Sequence, residues 1–114
     1  MDKSTAKKAY SQAKRTMGVY RIRTTGNNRL YVGSGTDLQA KINRHKAELK
    51  FGSHRNKELQ KEWNSFGESA LEFEILDVLE HEENSQTKPA EELDVLLEMW
   101  IRKLEKEGHS VVSL

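Results

Sequence analysis

Cysteine is absent from this 114-residue chain, and proline occurs once, at Pro89. Without cysteine there is no disulfide, no thiolate metal site and no cysteine nucleophile. No apolar run approaches the roughly 20 residues of a membrane span. The N-terminus lacks the apolar segment of a secretory signal. These absences lead to the expectation of a soluble intracellular, cytoplasmic protein with no membrane partner and no small-molecule cofactor. Hydrophobic residues make up 35% of the chain and charged residues 32%, which suits one domain with a modest core.

Charge is abundant but unevenly placed. Residues 1–62 hold 15 Lys/Arg against 5 Asp/Glu, a net +10, whereas residues 63–114 hold 4 against 13, a net −9. The first half has the sign of a surface that meets phosphates. The two halves can equally attract one another, within one fold or across a homodimer.

Residues 3–15 read as a basic helix with a sparse apolar stripe of Ala6, Ala9, Tyr10 and Ala13. From Met17 to Thr24 the pattern alternates, with Val19, Arg21 and Arg23 on one side and Tyr20 and Ile22 on the other. Thr25–Gly26–Asn27–Asn28 has turn chemistry, and Arg29–Gly33 resumes the strand, giving a β-hairpin. Thr36 or Asp37 caps a helix running to about Lys50, and a second helix spans about Asn56 to Phe66 with Gly67 as its stop. Leu71–Leu79 alternates as a third strand, with Leu71, Phe73 and Ile75 pointing one way. Residues 80–90 read as an exposed acidic loop. Glu91 to Lys106 forms a long helix ended by Gly108, and Val111, Val112 and Leu114 suit a short final strand. The simplest architecture is an α/β fold of the α+β type, a small three-stranded antiparallel sheet flanked by helices.

The hairpin carries Gly18–Val19–Tyr20 and then Tyr31–Val32–Gly33, followed by Ser34. Downstream come Asn43–Arg44–His45, His54, Asn56–Lys57–Glu58–Leu59–Gln60–Lys61, Trp63–Asn64, Phe66–Gly67, Phe73–Glu74–Ile75 and Trp100–Ile101. In this order and spacing the chain resembles the GIY-YIG nuclease family, with Val for Ile in both triplets. The resemblance covers roughly residues 17–108, so the chain is expected to divide into a basic N-terminal helix over 1–16 and a GIY-YIG-like domain over 17–114.

For function, the resemblance implies hydrolysis of a DNA phosphodiester assisted by a divalent metal, Mg2+ or Mn2+. It assigns Tyr20 as general base or orienter of the water, with Tyr31 beside it. It gives functional positions to His45 and His54, which can donate to phosphate or relay a proton. Gly33, Ser34, Lys46 and Arg55 would meet the nucleic acid. Read as residues alone, the tyrosines also suit ordinary packing, and the histidines suit a solvated surface.

Three positions depart from the family pattern. Its arginine, ten residues after the second tyrosine, is Lys41 here. Lysine keeps the charge but not the bidentate fork; Arg44, three residues on, can supply it. Its metal glutamate, three residues before the helix aromatic, is Leu97, with Glu98 and Asp94 as the nearest carboxylates. Its late asparagine is Ser110. The readings that follow are an attenuated metal-dependent endonuclease, a degenerate domain that binds nucleic acid without cutting it, and a protein-interaction or dimerising domain.

Overall fold

The computed structural model describes residues 16–26, 29–82 and 86–114. The basic helix expected over 3–15 and the turn residues Asn27 and Asn28 lie outside them. The elements run β1 (Met17–Thr24), β2 (Arg29–Gly35), α1 (Leu38–Phe51), α2 (Lys57–Phe66), one 3-10 turn (Glu68–Ala70), β3 (Leu71–Leu79), α3 (Pro89–Lys106) and β4 (Ser110–Ser113).

The sheet corrects one expectation. It has four strands in the order β3-β1-β2-β4, and it is mixed: β1 pairs antiparallel with both β2 and β3, while β4 pairs parallel with β2. The hairpin fixes the first pairing. It leaves the outer edge of β2 with unpaired backbone donors and acceptors. Helix α3 crosses back over the sheet and returns the chain beside that edge, where Val111 and Val112 stand opposite Leu30 and Tyr31.

Alternation along the strands sends side chains to two faces, each covered by helices. Tyr20, Ile22 and Tyr31 pack with Leu38, Ile42 and Leu49 of α1 and Leu59 of α2. Val19, Leu30 and Val32 pack on the other face against Leu104, Leu96, Leu97, Trp100 and Ile101 of α3. Each large apolar side chain fully buried in this way stabilises the fold by about 1.5–3 kcal/mol. The alternation of β3 survives only in part. Leu71 and Phe73 join the first cluster, but Ile75 is exposed. A bulge lies here: Val19 pairs with Asp77 and Tyr20 with Ile75, so Leu76 is the extra residue, and it packs into the second cluster.

The helix ends follow the sequence signals. Asp37 caps α1 by accepting from the Ala40 N–H at 3.1 Å, and Asn56 caps α2 by accepting from the Leu59 N–H at 3.0 Å. Gly52 ends α1 in the left-handed region, with φ 75°. Helix α3 begins at Pro89 rather than Glu91. Proline suits a first turn, where its missing N–H has no intrahelical partner to lose. The Trp100 indole N–H ties this helix to β3 by donating to Asp77 Oδ2 at 2.9 Å.

Candidate active site

An open cleft of about 310 Å³ is lined by Tyr20, Lys41, His45, Glu48, His54, Arg55, Asn56, Ser113 and Leu114. Four elements build it. β1 brings Tyr20, one stripe of α1 brings Lys41, His45 and Glu48, the loop before α2 brings His54 to Asn56, and the end of β4 brings Ser113 and Leu114. Lys41, His45 and Glu48 follow one another at four- and three-residue spacing, so they share a helix face.

The glycine of the second triplet has a steric reason. Gly33 pairs with Tyr20 across the hairpin, and the tyrosine ring lies over it. A Cβ at position 33 would stand 2.5 Å from Tyr20 Oη and 2.7 Å from Cζ. Gly18 of the first triplet allows an equally close approach of β3, since a Cβ there would lie 1.9 Å from the Asp77 carbonyl oxygen.

A chain of hydrogen bonds runs back from Tyr20. Its hydroxyl lies 2.5 Å from His45 Nε2. His45 Nδ1 lies 2.8 Å from His54 Nε2. The Asn56 backbone N–H donates to His54 Nδ1 at 3.0 Å. The His54 N–H in turn donates to Gln60 Oε1 at 3.0 Å, and Gln60 Nε2 donates to the Leu49 carbonyl at 2.9 Å. Both imidazoles are buried. Burial, then the neighbouring His54, pushes His45 down to about 4. Burial likewise lowers His54 from its ordinary value.

These facts set the direction of the chain. Both imidazoles are neutral near pH 7, so each carries one N–H. The Asn56 N–H makes His54 Nδ1 an acceptor, which leaves the His54 proton on Nε2. That proton points to His45 Nδ1, which leaves the His45 proton on Nε2. His45 therefore donates to Tyr20 Oη. Burial holds the Tyr20 hydroxyl up at about 12, opposed by the Arg55 charge. At rest Tyr20 keeps its own proton, and that proton is directed away from His45.

The other expected site residues are placed differently. Tyr31 is fully buried and does not line the cleft; its hydroxyl lies 3.5 Å from Glu58 Oε2. Ser34 is half-buried on β2 opposite Val19. Lys46 stands over the Phe73 ring, 5.0 Å from its centroid. Arg44 is exposed and is not part of the cleft lining; its Nε lies 3.5 Å from Glu48 Oε1. Glu48, Asn56 and the β4 tail went unrecognised in the sequence. Glu48 was findable, since it lies three residues beyond His45 on the same helix face.

The expected metal carboxylates are not brought to the cleft. Leu97 is half-buried in the α3 cluster. Asp94 is exposed, and exposed Glu98 pairs with Arg102 at 2.6 Å. Magnesium sites of this kind use carboxylates together with substrate phosphate. Among the described residues, the one carboxylate side chain lining the cleft is Glu48, which faces Arg44, Lys41 and Arg55. Among the described residues no group of three His, Asp or Glu can hold a metal ion. The residues present therefore do not fit a magnesium ion held by the protein.

The sequence model of the GIY-YIG catalytic domain matches residues 16–93. Intron-associated endonuclease 1 of Enterobacteria phage T4 is 32% identical over 90 residues, which cover 76% of this chain and 32% of that protein. The chain thus spans about a third of the length of that relative. Among solved structures, the catalytic domain of homing endonuclease I-TevI superposes with a TM-score of 0.63 at 28% identity, covering 84% of this chain and 97% of that one. An alanine variant of the catalytic domain of intron endonuclease I-TevI gives 0.59 at 30% identity, covering 83% and 90%.

Proposed function

Because this chain belongs to the GIY-YIG catalytic-domain family, we propose that it is an endonuclease-type domain that hydrolyses phosphodiester bonds in DNA. The observation that carries the reading is the Tyr20 hydroxyl held by His45 in a cleft that Lys41 and Arg55 make positive. The two cations draw a phosphate toward the tyrosine. Tyr20 orients the attacking water through its hydroxyl. To act as a general base it must first lose its proton, a step that burial opposes and Arg55 favours. The His45 N–H is already aimed at the oxygen where that charge would appear, so the histidine chain stabilises a phenolate rather than accepting its proton. His54 and Asn56 serve as positioning residues, because they act through His45.

The test is a nicking assay on supercoiled plasmid and on labelled branched DNA, run with magnesium, with manganese and with chelator, beside a gel shift on the same samples. Nicking by the wild type that Tyr20→Phe abolishes is the expected result. Equal nicking by Tyr20→Phe would remove the tyrosine from the mechanism.

Leu97 supports a second reading, in which the domain binds nucleic acid without cutting it. It stands where the family pattern has its metal carboxylate, and no described carboxylate replaces it at the cleft beyond Glu48. Salt-sensitive gel shifts with no nicking in either metal would select this reading. A homodimer is not needed to explain the opposite charges of the two halves: Arg21 and Arg23 of β1 pair with Glu74 and Glu72 of β3 inside one chain.

A further inference from the structure

Phe51 is the last residue of α1 and is 85% exposed, more than any other large hydrophobic residue in the described chain. Isolated apolar side chains on a surface are ordinary, but the placement of this one is not. Lys41, Arg44, Glu48 and Phe51 recur at three- and four-residue spacing, so Phe51 continues the stripe that carries two residues of the cleft. It lies one turn, about 5 Å along the axis, beyond Glu48. Its backbone is held firmly. Gly52 adopts the left-handed conformation and donates to the Leu49 carbonyl at 3.1 Å, and the Ser53 N–H donates to the Glu48 carbonyl at 2.9 Å. Lys50, Arg55 and Lys57 are all exposed and close to Phe51 along the chain, and Arg44 lies two turns back on the stripe with its side chain 75% exposed. The other strongly exposed phenylalanine, Phe66, differs: it lies beside the hairpin turn at Gly26, away from the cleft.

An exposed aromatic ring one helical turn beyond Glu48 of the cleft, next in the chain to exposed Lys50, has the makings of a stacking platform. The cations hold the backbone, and the ring offers a face to a base. Inserting between paired bases costs unstacking energy. A base already free of its partner carries no such cost. We propose that Phe51 stacks on an unpaired nucleobase of the strand whose phosphate enters the cleft. This rests on the nucleic-acid-binding part of the reading above and does not depend on cleavage.

The experiment compares binding of wild type, Phe51→Ala and Phe51→Trp to a labelled thymidine oligonucleotide and to a fully abasic strand of equal length, by fluorescence anisotropy. The two strands carry the same phosphates and differ only in bases. Wild type is expected to prefer the thymidine strand about tenfold or more. Phe51→Ala should bind both strands as wild type binds the abasic one, and Phe51→Trp should restore the preference. The salt slopes of all three proteins should agree, because phosphate contacts are unchanged. An unaltered thermal midpoint for Phe51→Ala, expected for so exposed a side chain, ensures that a folded protein is being read. A preference that persists in Phe51→Ala, or is absent from wild type, overturns the stacking role. Failure of wild type to bind either strand overturns the nucleic-acid reading itself, and with it this one.

Discussion

One methyl group at position 33 would collide with the hydroxyl around which the cleft is built. In Gly33→Ala the new Cβ meets the Tyr20 ring rather than a flexible chain end, so the ring or the strand must move. The expected cost is about 1–3 kcal/mol of stability, read from denaturant midpoints, together with loss of the Tyr20–His45 hydrogen bond and of any nicking. His45 and His54 are lowered in the fold, with His45 at about 4. Between the ordinary histidine value near 6.5 and about 4, the unfolded chain binds protons that the folded chain does not. The stability that these neutral histidines contribute is therefore complete above about pH 6.5 and is lost as pH falls toward 4. Urea titrations across that window should show a loss on the order of 3 kcal/mol, and His45→Gln should flatten the slope.

Helix ends decide how the cleft is held at the scale of single elements. Asn56 has two tasks that one substitution separates. Its side chain caps α2 and its backbone N–H orients His54. Asn56→Ala should cost about 1 kcal/mol of stability while leaving the histidine chain in place, so nicking or DNA affinity measured well below the melting temperature should be nearly unchanged. Helix α3 acts as a structural element here. Leu97 packs with Val19, Leu30 and Val32, and Trp100 donates to Asp77. Leu97→Glu should lower stability by about 1–3 kcal/mol, checked by thermal melting. It should not give the cleft a carboxylate, because position 97 belongs to the opposite face of the sheet.

Across the whole molecule the charge split resolves into two functions. Part of it is internal, in the pairs that join β1 to β3. Part of it remains at the cleft, where Lys41 and Arg55 face the same space as Tyr20. DNA affinity should therefore fall steeply with salt, and removing either cation should lower the log–log slope by about one. Gel shifts or anisotropy over a salt series check this. The described fold contains no helix long and apolar enough to cross a membrane.

Sequence alone fixed whatever depends on local periodicity and backbone chemistry. The hairpin, the cap at Asp37, the stop at Gly67 and the two-faced strands of the hairpin were readable, because alternation, caps and glycine stops act within a few residues. So was the family, since its motifs are short and ordered. The tertiary structure alone decided the rest. Strand β4 carries too few residues to announce its partner, and its parallel pairing depends on where α3 returns the chain. The bulge at Leu76 breaks an alternation that reads as regular. Tyr20 and Tyr31 look equivalent in sequence, yet opposite neighbours separate them, one toward His45 and the other toward Glu58. The direction of the histidine chain rests on one backbone N–H at Asn56, and no pattern of side chains encodes where a backbone donor will point.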